Sequence, residues 1–71
     1  MESVKNLPLC ESPIPLPEWC EARRGKLGRE ELFVLWAPEH NMHCDALAPV
    51  DEATVKAMLV NLEGAISAMR F

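Results

Sequence analysis

The chain has 71 residues, of which 49% are hydrophobic and 25% charged, and its formal net charge is −4. That length excludes two separate cores, and the apolar share excludes a wholly disordered chain. A core this small rarely supplies more than ~3–5 kcal/mol, so chains of this size often need idealised packing, a metal, disulfides or a partner subunit.

The charge is uneven. Residues 1–29 hold Lys5, Arg23, Arg24, Lys26 and Arg29 against Glu2, Glu11, Glu18 and Glu21, whereas residues 30–71 hold only Lys56 and Arg70 against Glu30, Glu31, Glu39, Asp45, Asp51, Glu52 and Glu63. An acidic half repels phosphate backbones, which argues against direct nucleic-acid binding and for a protein partner with a basic surface. Three cysteines, Cys10, Cys20 and Cys44, cannot all pair within one chain, and residues 1–6 show no basic start followed by an apolar run. The expected compartment is therefore a reducing cytoplasm. The longest apolar stretch, Leu32 to Ala37, has six residues, far short of the ~20 a membrane helix needs.

Residues 7–17 carry four of the six prolines, each removing a backbone donor and biasing its predecessor toward extended geometry. Residues 1–17 are expected to form an extended arm whose Ile14 and Leu16 lie on the rest of the domain, and residues 18–71 a compact α+β core of the same single domain. After Pro17, the run Glu18 to Arg24 has early acids and late bases, which suit a short helix ended by Gly25. Gly25 and Gly28 then read as a turn.

Residues 31–37 are the clearest strand, apolar on both faces and stopped by Pro38, so the strand belongs in the middle of something. Residues 38–41 predict a turn, and residues 42–47 a weaker returning strand. The last element is a helix over residues 52–70, capped by Asp51, with Val55, Met58, Leu59, Leu62, Ile66 and Met69 forming one apolar stripe. Gly64, beside Ala57, Ala65 and Ala68, thins another part of its surface. The expected fold is α+β: an extended Pro-rich arm and short helix, one or two antiparallel strands or a few-stranded sheet, and a long C-terminal amphipathic helix on that sheet.

Chemistry-bearing residues are few. Cys10, Cys20 and Cys44 with His40 or His43 contain the residue types of a tetrahedral zinc site, but Cys10 and Cys20 are not spaced as a zinc knuckle. Buried thiols and loop histidines are the simpler reading, and no cofactor is expected. Cys44 beside His43 invites a cysteine-nucleophile reading, yet adjacent strand residues point to opposite faces, leaving only His40 to reach the thiol across a turn. No Gly-rich phosphate loop, nucleophile elbow, His-Glu-x-x-His or calcium loop occurs.

The expected role is that of a small acidic interaction module rather than an enzyme: an inhibitor, adaptor or accessory subunit of the kind phages and mobile elements also make. Its candidate partner contacts are Glu30, Glu31 and Glu39, with Trp36, Leu62 and Ile66 as apolar contacts. A homodimer is expected through the C-terminal helix, the Leu32–Trp36 strand, or both.

Overall fold

The computed structural model describes residues 6–69, arranged as β1 (Glu21–Leu27), β2 (Glu30–Ala37), a single 3-10 turn (Pro38–His40), β3 (Met42–Leu47) and α1 (Glu52–Ala68). The first five residues of the expected arm, and Arg70 at the expected helix end, lie outside the described residues. The strands form one antiparallel sheet in the order β1-β2-β3, and α1 packs mainly over β3.

β2 lies in the centre because both its faces are apolar. Phe33, Leu35 and Ala37 point to the α1 side, where they meet Val55, Met58, Leu62 and Ile66 with Cys20 and Ala22. Val34 and Trp36 point to the other face and pack with Leu7. Leu35 and Val55 are wholly buried, each contributing roughly 1.5–3 kcal/mol of transfer free energy. α1 begins where its cap allows: the Asp51 carboxylate accepts from the Thr54 N–H at 2.8 Å, satisfying one of the orphan donors of the first turn.

The short helix expected at residues 18–24 is not formed. Residues 18 and 19 make a turn, and Glu21–Leu27 is a strand paired with β2 from Glu21↔Trp36 to Leu27↔Glu30. An isolated seven-residue helix cannot recover its nucleation cost, and charge placement along the dipole supplies only ~0.3–1 kcal/mol per group. Pairing with β2 instead satisfies a whole backbone ladder and buries Cys20 and Ala22.

The turn is also shifted. Gly25 sits inside β1, and the reversal is the two-residue loop Gly28-Arg29, with Gly28 at φ 69°. A positive φ at the first loop position is where hairpins of the II′ type take glycine. The second connection uses Asn41 at φ 52° after the 3-10 turn.

Gly25 has a different task. A Cβ there would meet Leu7 Cδ2 at 2.9 Å and Pro8 Cδ at 3.4 Å, so its missing side chain makes room for the N-terminal segment. That segment lies along the outer edge of β1: Cys10 N–H donates to Ala22 O at 2.9 Å and Arg24 N–H to Pro8 O at 3.0 Å. The Arg23 guanidinium fastens it, donating from Nη1 to Leu7 O at 2.6 Å and from Nη2 to Glu21 Oε2 at 3.0 Å. Beyond Cys10, Ile14, Leu16 and Trp19 pack against the α1-side core.

Candidate binding cleft

A concave feature of chemical interest opens at the end of the sheet where β1 begins and β2 ends. Its volume is about 380 Å³, and its walls are Trp19, Glu39, His40, Glu63, Ile66 and Ser67. Three separate parts of the fold build it. Trp19 comes from the turn that precedes β1, Glu39 and His40 from the 3-10 turn after β2, and Glu63, Ile66 and Ser67 from the last turns of α1.

Glu63 and Ser67 are four residues apart and therefore one above the other on the helix, on the flank next to buried Ile66. Pro38 fixes the start of the 3-10 turn and Asn41 its left-handed end, which carries Glu39 and His40 out beside the helix. The lining thus brings together an indole, an isoleucine, a serine, two carboxylates and an imidazole, with no Lys or Arg among the lining residues. Carboxylates beside an aromatic face suit a cationic group.

The six residues expected to contact a partner do not form one patch. Glu39 and Ile66 meet in the cleft. Glu30 and Glu31 lie at the opposite end of β2, roughly 20 Å away at strand rise, where Glu31 accepts from Arg24 Nε at 2.8 Å. Trp36 is 9% exposed on the face away from α1, its ring centre 6.2 Å from that of His43. Leu62, at 2% exposure, belongs to the internal core, as Ile66 also largely does. Trp19, His40, Glu63 and Ser67 completed the cleft without any signal in the sequence, because only the fold brings positions 19, 40 and 63 together.

Basic residues are dispersed too. Arg23 points to the face covered by Leu7, whereas Arg24 and Lys26 point to the α1 side, and Arg29 occupies the hairpin tip.

Among the described residues, no three His, Cys, Asp or Glu side chains gather as a metal-ligand group. The register sets Cys44 opposite Leu35 and His43 opposite Trp36, hence on opposite faces. Burial pushes the thiols of Cys10 and Cys44 up, Arg24 partly countering it at Cys10 and the Asp45 charge adding to it at Cys44. Cys20 is pushed up to about 11, first by burial and then by the Glu21 charge. None has the lowered value of an activated thiolate. No helix among the described residues is long and apolar enough to cross a membrane. Comparison of the chain with protein-family models, curated proteins and solved structures gives no match.

Proposed function

We propose that the chain is a small acidic interaction module that binds a larger protein through a basic segment, held in the cleft beside Trp19. The observation that carries this reading is the cleft itself: Glu39, Glu63 and an indole line a space of about 380 Å³ with no Lys or Arg among the lining residues. A lysine or arginine side chain there would lie against the indole face with its charge toward the two carboxylates. Cation–aromatic contact of this kind contributes roughly 0.5–2 kcal/mol depending on desolvation. Glu30 and the rest of the acidic half would add long-range attraction, which speeds encounter and weakens as salt rises. Three protonated, unpaired thiols support a reducing compartment such as the cytoplasm as its place of action.

The test uses an arginine-rich hexapeptide as the probe and the two indole N–H signals of the protein as the readout. Binding in the cleft moves the Trp19 signal and leaves Trp36, buried on the opposite sheet face, in place. Glu39→Gln with Glu63→Gln reduces the affinity roughly ten-fold or more, the loss of two charge-assisted contacts. A Trp19 signal that stays fixed at millimolar peptide, or a response unchanged in the double variant, overturns the reading.

A further inference from the structure

The two outer edges of the sheet are unlike. The edge of β1 is hydrogen-bonded to residues 8–10 and bridged at Leu9↔Arg23. Along the outer edge of β3, no strand or bridge is found among the described residues. Between Met42 and Leu47 the only acidic or basic side chain besides His43 is Asp45, and no lysine, proline or bulge blocks the edge.

The phase of the ladder says which groups that edge offers. Ala48 N–H donates to Glu31 O at 2.9 Å, so the pairs Ala46↔Phe33, Cys44↔Leu35 and Met42↔Ala37 exchange the bonds with β2. The N–H and C=O groups of His43, Asp45 and Leu47 therefore point outward.

We propose that two copies of the chain join through these edges, antiparallel, with Cys44 of each copy on the two-fold axis, to make one continuous six-stranded sheet. The occupant is a second copy because the edge is complementary to itself when centred on Cys44. A two-fold ladder that keeps each face on its own side must be centred on a single residue. Centring on Asp45 sets two carboxylates opposite each other, which is unfavourable. Centring on Cys44 sets His43 opposite the other copy's Asp45, twice, and uses the backbone groups that already point outward.

The helix agrees with this choice. Glu63 and Ser67 line the cleft with Trp19, and Lys56 shares their flank by helical spacing. The opposite flank, by the same helical spacing, carries Thr54, Asn61 and Ala65 and no charge. α1 contacts β2 as well as β3, and two helices each seated between those strands would have axes ~10 Å apart above the joined sheet and would turn uncharged flanks to each other. Leu47, 61% exposed on this strand, gains cover, and the cleft on the other flank stays open.

The test combines mass with chemistry at the axis. Sedimentation of the full chain at micromolar concentration is expected to give twice the chain mass. Asp45→Lys, at an exposed position, weakens the dimer roughly ten-fold or more, and the exchange of His43→Asp with Asp45→His restores it, because cross-copy imidazole–carboxylate hydrogen bonds are lost and then remade. Circular dichroism reports folding of each variant separately. In a chain retaining only Cys44 (Cys10→Ser, Cys20→Ala), oxidation by copper–phenanthroline and oxygen joins the two thiols across the axis as a disulfide. Directly opposed residues of a non-hydrogen-bonded pair lie about 4.5 Å apart at Cα, inside the disulfide range. A wild-type chain of single mass, a dimer indifferent to Asp45→Lys, or a dimer that Cys44 does not cross-link each overturns the proposal.

Discussion

The two faces of the sheet solve the same problem with unequal means. On one, α1 contributes Val55, Met58, Leu62 and Ile66 against Phe33, Leu35 and Ala37. On the other, Val34 and Trp36 are met by Leu7, whose carbonyl accepts from the Arg23 guanidinium. Both leave β2 buried, yet the first rests on a helix with its own hydrogen-bond ladder and the second on a few residues of extended chain. A domain of this size can thus bury a doubly apolar strand without a second helix, provided that one leucine is fixed in place.

The comparison yields graded expectations. Leu62→Ala, which opens a cavity beneath α1, should cost about 3–4 kcal/mol by chemical denaturation. Leu7→Ala should cost about 2 kcal/mol, because its site lies near the sheet margin where neighbours can relax. A loss equal to that of Leu62 would mean the thinner face contributes as much as the thicker one. Gly25→Ala should cost about 1 kcal/mol, since the new methyl presses on Leu7 at 2.9 Å. A Leu7→Ala background should relieve most of that cost, a coupling readable in a double-mutant cycle.

The smallest effect concerns the start of α1. The Thr54 hydrogen bonds hold the Asp51 carboxyl below its ordinary value. A carboxyl lowered on folding contributes stability above its unfolded value and loses it as pH falls through the folded one. Asp51→Ala should therefore lower Tm at neutral pH, and the gap from wild type should close in strong acid. A gap independent of pH would remove the charge from the account.

Much of the thicker face was legible in the sequence. The i, i+3, i+4 stripe from Val55 to Ile66 marks α1, Asp51 marks its start, and the unbroken run from Leu32 to Ala37 marks β2. The pairing of β2 with Met42–Leu47 was legible as well, through Pro38 and the turn after it. β1 was not, because Glu21, Arg23, Arg24 and Lys26 read as a charged helical surface. Their place in a strand depends on the hydrogen-bonding need of β2, which is a tertiary effect. Gly25 was misread as a turn residue for a related reason, since its role is set by Leu7, eighteen positions earlier in the chain. The cleft was half legible: charge pointed to Glu39, while Trp19, His40 and Glu63 carry no local pattern that foretells their meeting.

The Gly28-Arg29 loop has a practical consequence. Both residues are exposed, and they stand at the end of the hairpin opposite the cleft, separated from it by the length of β1, about 20 Å at strand rise. A biotin or dye attached through a cysteine at Arg29 would anchor the protein to a sensor surface with Trp19, Glu39 and Glu63 facing solution. The tip of the hairpin is thus the natural handle for immobilised assays, and for fusions that leave the cleft end of the molecule free.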